Sequence, residues 1–228
     1  MTTARQVEAL VHPLLARHPD LIYVRRTLCI RPVGHFARMI RFDAPSSADE
    51  CMPQWTLRAT FLPNAGIAPM IGRCFGNLSS FQAIDGRWTW SDPVLAAELA
   101  ERIDAYALPM LRSLDTFEKC LWFGIGHVTG RRILDPRERL VTALADGDLD
   151  AARRIWSEIG PSLVSDERPA DPRPRADDEP YRRIGPLLLA DDRAALSRLL
   201  HAWEAANLRG SPFEPIWEPS PFPLDAGP

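Results

Sequence analysis

The 228-residue sequence predicts an α+β protein: an antiparallel β-meander with flanking helices, then a helical C-terminal part of two αα-hairpins. Three observations predict it. In QWTLRATFLP, Trp55, Leu57, Ala59 and Phe61 alternate with Thr56, Arg58 and Thr60, the period of an antiparallel strand with one face buried and one wet. From residue 92 onward the apolar residues recur with helical spacing instead. Finally, LADGDLDAARRI at 144–155 aligns with LADDRAALSRLL at 189–200 if one gap is allowed at Gly147, so an acidic turn leads into an amphipathic helix twice.

The elements follow in order. Val7, Leu10, Val11, Leu14 and Leu15 have helical spacing, interrupted by Pro13. LIYVRRTLCIRPV, HFARMIRFD and QWTLRATFLP are short and rich in β-branched and aromatic residues, and FGNLSSFQAI and GRWTW add one or two more strands. The sheet is therefore expected over about residues 20–90 with four to five strands, and helices over 92–123. Asp92-Pro93 opens a helix that kinks or ends near Pro109. Asp115 with Glu118 has the spacing of a capping box, and Gly124 stands where a left-handed glycine closes a helix. Asp135-Pro136 repeats the start signal. Residues 1–130 are thus read as the α+β domain and 131–210 as the hairpins, with a flexible linker at about 161–180. The stretch 211–228 is a proline-rich extended tail, whose Phe213, Trp217 and Phe222 serve as anchors on its own domain or as a polyproline ligand.

Composition bounds the function. Apolar residues make up 46% and charged residues 25%, a globular balance, and no apolar run is long enough to span a bilayer. The N-terminus lacks the pattern of a secretory signal, so the expected location is cytoplasmic. Cys29, Cys51, Cys74 and Cys120 are scattered with no CxxC pair, which argues against structural zinc and for small buried residues. No metal and no cofactor is expected. Net charge is −3 with a pI of about 6.0. Residues 131–228 carry 14 arginines against 18 acids, a net of −4. Arginines interleave with aromatics on the sheet (Arg25, Arg26, Arg31, Arg38, Arg41 and Arg58 with Tyr23, Phe36 and Trp55), as single-strand binders require. The acidic balance nevertheless makes nucleic acid an unfavoured partner.

Candidate chemistry is sparse. WFGIGHVTGRRILD at 122–135 carries His127, Arg131 and Arg132 among three glycines. A phosphate loop needs glycines running from a strand directly into a helix N-terminus, and here the preceding element is a helix, so the connector reading is preferred. Arg131 and Arg132 remain candidates for a phosphate or a partner's carboxylate. His35, with Arg38 and Arg41 nearby, could serve as a general base beside electrophiles for an anionic substrate, against the alternative of a solvated strand end. Cys74 in GRCFGN is the best thiol candidate, since nearby positive charge lowers a thiol pKa. Trp217 is a candidate contact residue of the tail.

The order of N-terminal helix, meander, long helix and helical C-terminal part resembles bacterial immunity proteins that neutralise polymorphic toxins, over residues 7–120. The resemblance implies a non-enzymatic protein-binding module whose acidic C-terminal half docks on a basic toxin domain. The rival expectation is a small enzyme using His35 or His127 with arginines and Cys74.

Overall fold

In the computed structural model the chain is α+β, with a mainly antiparallel sheet and helices on both sides of it in sequence. The structure describes residues 2–43, 49–63, 73–78, 87–126, 135–164 and 178–226. Two compact units form. The first comprises Met1–Arg58, Arg73–His127 and Pro212–Glu218; the second comprises Ala59–Gly72, Val128–Ser211 and Pro219–Pro228. The stretch read as a separate tail from 211 is thus divided between both units.

In the first unit, helix α1 (Ala4–Arg17) starts at a capping box between Thr3 and Gln6. It passes through Pro13 without a break: the expected interruption does not occur, because Val7, Leu10, Val11 and Leu14 are buried as one stripe and tertiary packing outweighs one lost hydrogen bond. The described sheet has six strands: β1 (Leu21–Val24), β2 (Thr27–Ile30), β3 (Phe36–Asp43), β4 (Glu50–Ala59), β5 (Arg73–Asn77) and β6 (Trp88–Thr89). The order is β1-β2-β3-β4-β5, with β6 also on β4 through Glu50↔Thr89 and Cys51↔Trp88.

LIYVRRTLCIRPV, expected as one strand, is a hairpin. Arg25 and Arg26 form its turn with φ of 46° and 63°, left-handed at both central positions. Such turns normally carry Asn-Gly, so no sequence signal marked this one. On β4, Leu57 and Ala59 are buried as expected. Thr56, expected on a wet face, is only 1% exposed. It points away from the helix-covered side, as Cys29 and Met39 do, and these too are buried. The Thr56 hydroxyl has no hydrogen-bond partner among the described residues. Replacing it with the isosteric valine removes an unsatisfied buried polar group, so Thr56→Val is expected to gain about 1 kcal/mol of stability, read as a higher urea midpoint.

Helix α2 (Leu95–Arg102) follows a turn in which Asp92 accepts from the Val94 amide at 3.0 Å. Its α-helical hydrogen bonding is interrupted after Arg102, ahead of Pro109 rather than at it. A single π-helical turn over Ile103–Ala107 leads into α3 (Leu108–Ser113), with Pro109 in its first turn, where a missing N–H matters least. The cap of α4 (Phe117–Gly126) is Thr116 rather than Asp115: its hydroxyl accepts from the Lys119 amide at 3.2 Å, while Asp115 pairs with the Lys119 side chain. The helix continues beyond Gly124, which therefore does not close it; glycine weakens a helix without terminating one, and buried Cys120 and Leu121 hold it in place.

The second unit contains α5 (Pro136–Ala145), α6 (Leu149–Val164), α7 (Glu179–Arg182), α8 (Ile184–Leu189) and α9 (Arg193–Leu208). Asp135 caps α5 through the Arg137 amide at 2.9 Å, as the sequence indicated. Both ends of the linker expected at about 161–180 are helical instead: α6 extends through Pro161 to Val164, and α7 starts at Glu179. Residues 165–177 lie outside the described residues.

The hydrogen bonds of the two hairpin turns set the internal repeat, and its register differs from the gapped alignment. Gly147 N–H donates to the Leu144 carbonyl and Asp148 N–H to that of Ala143; Asp191 N–H donates to Leu188 and Asp192 N–H to Leu187. Both are Schellman closures followed at once by an aspartate cap, Asp148 to the Ala151 amide and Asp192 to the Ala195 amide. The offset is 44 residues, Gly147 onto Asp191, with no gap. It also places Asp135-Pro136 on Glu179-Pro180 and the fully buried Leu140 on Ile184. Gly147 (φ 81°) and Asp191 (φ 54°) share the left-handed position, which glycine and aspartate tolerate best. Gly147→Ala is expected to cost about 1–2 kcal/mol, because alanine is strained at the left-handed φ of 81°. Asp191→Gly at the twin position is expected to stay within about 0.5 kcal/mol by denaturant titration.

The repeats pack across α6 and α8 through Trp156, whose indole lies over Gly160 and Gly185. Ion pairs flank it: Arg137 with buried Asp178 at 2.7 Å, and Arg153 with Asp191 at 2.6 Å. The offset carries Trp156 onto Leu200 and Gly185 onto Val141, both buried, on α9 and α5, which also touch. A large residue over a small one across α6 and α8 thus corresponds to two medium-sized residues on α9 and α5. A 3-10 turn at Pro223–Ala226 packs on α9 and α5, with Leu224 beside Gly147 and Asp225 toward His201 at 3.4 Å.

Candidate functional site

In the first unit the residues singled out as chemistry are tied into the scaffold. His35, 7% exposed, meets the edge of Phe117 with ring centroids 5.8 Å apart. Arg38 donates from Nη1 to the Leu114 carbonyl at 3.3 Å, at the end of α3. Arg41 pairs with Asp43 on its own strand at 2.9 Å. Arg31 donates to the Pro19 carbonyl. His18 and Arg17 both meet Asp104, in the π-helical turn, and Arg112 grips Asp20 through two hydrogen bonds of 2.9 and 2.7 Å. That guanidinium holds the Asp20 carboxyl below the usual carboxylate range.

The described thiols are poor nucleophiles. Burial pushes Cys29 and Cys51 up to about 12 and Cys120 to about 11, so each is protonated at neutral pH. Cys74 has its backbone opposite Leu57 in the β4–β5 ladder, and its side chain lies outside the described residues. His127, Arg131 and Arg132 also lie outside them. Among the described residues no group of three or more His, Cys, Asp or Glu could hold a metal ion, and no helix is long and apolar enough to cross a membrane. Trp217 forms a parallel bridge with Val33: the Val33 amide donates to the Ile216 carbonyl and the Glu218 amide to the Val33 carbonyl, each at 2.8 Å. Its half-buried indole makes it an anchor of the chain on the first unit.

The second unit offers something different. Its two hairpin turns bring Asp146, Asp148 and Asp150 to the same end as Asp191 and Asp192, all exposed. Arg153 joins the groups, reaching Asp150 at 3.0 Å and Asp191 at 2.6 Å. Next to this acidic end, Leu189 is 75% exposed, and Pro186 and Ala190 beside it are exposed too. In the other unit Tyr106 and Trp122 are each 64% exposed. The acidic turns are evident in the sequence, and the exposure of Leu189 is not, since an apolar run does not tell which of its members face water.

His201 lies against Phe222 with ring centroids 4.8 Å apart, and Phe222 meets Phe61 edge-on at 5.4 Å. Both Phe222 and Leu224 are 1% exposed. The aromatics of the C-terminal segment are therefore spent within the chain, as anchors rather than as a free polyproline ligand. Thr60 donates to Glu204 at 2.8 Å, and Asn207 donates to the Thr60 and Leu62 carbonyls at 2.7 and 2.8 Å, fixing residues 60–62 on α9. No protein-family model, no curated protein and no solved structure matches this chain.

Proposed function

We propose that this chain is a non-enzymatic protein-binding module of the bacterial cytoplasm, with a basic protein as partner and toxin neutralisation as its setting. The observation that carries the reading is the exposed acidic end of the helical unit, where two successive hairpins bring together five exposed aspartates and Arg153 pairs with two of them, Asp150 and Asp191. Such a concentration of one sign of charge steers an oppositely charged protein and fixes its orientation on arrival. The contacts that hold His35, Arg38, Arg41 and the buried thiols in the scaffold agree with a role in which these groups shape a surface rather than transfer protons.

The test uses the full-length chain as bait in lysate of its native organism, at low and moderate salt, with captured proteins identified by mass spectrometry. The reading expects one stoichiometric basic protein, lost as salt rises. It also expects the same capture by the double variant His35→Ala/His127→Ala. Recovery of no stoichiometric partner, or loss of capture in that double variant, would contradict it.

A further inference from the structure

The internal repeat makes each residue of one hairpin comparable with its twin. At most positions burial agrees: Leu144 and Leu188 are 1% and 0% exposed, and Ile155 and Leu199 are 8% and 5%. Two pairs differ sharply. At the C-terminal ends of α6 and α9, Val164 is 61% exposed and Leu208 4%; at the first helices of the hairpins the difference falls on an apolar residue beside the acidic turn. Ala145 is 0% exposed, and its twin Leu189 is 75% exposed. Ala145 ends α5, the helix on which Pro223–Ala226 packs. Leu224 lies against the turn at Gly147, two residues on, and Arg193 donates to the Leu224 carbonyl. Among the described residues no such segment lies on α8 at that place, and the side chain there is larger and more apolar.

We propose that the surface around Leu189 is a docking site for a basic protein segment that presents an apolar side chain between Lys or Arg residues. The inference rests on the protein-binding reading and specifies where and by what chemistry the partner is held. The chain's own segment defines the kind of occupant that this corner of the hairpin accepts: a short turn with a buried aliphatic residue, lodged beside the left-handed turn residue. The charge around the open copy sets the sign of the guest. Asp150 and Asp191 have side chains 80% and 63% exposed, and Asp148 and Asp192 cap the adjoining helices. A guest side chain burying Leu189 dries these carboxylates in part, and cationic flanks offset that cost. Leu189 then has the position of a central anchor inside a polar rim, the arrangement in which a few residues carry most of the binding energy.

The probe is the capped pentapeptide Lys-Lys-Phe-Lys-Lys, titrated into the full-length protein and followed residue by residue through backbone amide NMR shifts. The proposal expects shifts centred on Leu189–Asp192 and Asp148–Arg153. It expects about tenfold weaker binding for L189S, the loss that follows from removing one aliphatic anchor, and unchanged binding for Tyr106→Ser, an exposed apolar residue of the other unit. Leu189 packs little, so L189S is expected to fold as wild type, checked by its thermal midpoint. Shifts spread over all acidic residues, equal binding of Lys-Lys-Ser-Lys-Lys, or an unaffected L189S would each overturn it. Peptide mapped to Leu189 with no basic protein captured from lysate leaves the surface standing and removes the toxin-neutralising reading. Capture of one basic protein equally by wild type and L189S does the reverse.

Discussion

Gly185→Val is expected to destabilise the helical unit by about 3 kcal/mol, the upper end of what overpacking a filled core costs. A Cβ built on Gly185 would lie 2.1 Å from Cζ2 of Trp156, and 2.7 Å from two further indole carbons. The indole cannot move toward its own helix, since Gly160 there is almost as close, with a Cβ–Cε2 distance of 2.7 Å. The α6–α8 contact must therefore open, and the Arg153–Asp191 pair, which joins α6 to the turn after α8, lengthens with it. Urea titration followed by tryptophan fluorescence checks this: the midpoint is expected to fall with a blue-to-red shift beginning at lower denaturant than in the wild type. A midpoint within error of wild type would show that Trp156 does not rest on Gly185.

Gly76→Val is the corresponding expectation in the first unit. Gly76 stands opposite Trp55 in the β4–β5 register, and a Cβ there would meet the indole at 2.5–2.6 Å. Trp55 packs against Phe123 and both apolar clusters of this unit, so displacing it disturbs α4 as well as the sheet. The expected cost is about 2–3 kcal/mol. Differential scanning calorimetry measures it, and Gly76→Ala is expected to fall between wild type and valine. The two glycines share one logic: each gives up a side chain so that an indole can lie flat on backbone.

Much of this fold was legible because its local signals and its packing agree. The alternation at Trp55, Leu57 and Ala59 is a strand, and Asp135-Pro136 starts a helix. Single residues are weaker signals than whole buried faces. Pro13 and Pro161 lie inside helices whose buried faces are strong enough to carry them, and Pro109 enters the first turn after a π-helical turn. Gly124 is crossed by a helix. The Arg25-Arg26 turn carries none of the residues that left-handed turns favour, so it could not be read at all. The repeat was visible, but its register depends on which residue takes the left-handed position. A glycine in one copy and an aspartate in the other hid that equivalence. For the candidate surface, the five aspartates were evident as turn and cap residues. Leu189 was not, because its exposure depends on the absence of a neighbour that its twin possesses, and a neighbour is a tertiary fact.

The repeat underlies both the stability of the helical unit and the open surface at Leu189, so its register is the claim to test first. A double-mutant cycle on Gly185→Val and Trp156→Leu does this, since together they install on α6 and α8 the residue types of their twins, Leu200 and Val141. Each substitution alone is expected to destabilise. The pair is expected to recover at least about 1.5 kcal/mol relative to the sum of the single losses, within the range measured for contacting residues. Losses that add to within about 0.5 kcal/mol would mean that Trp156 and Gly185 do not form the contact equivalent to α5 against α9, and would remove the basis for comparing Leu189 with Ala145.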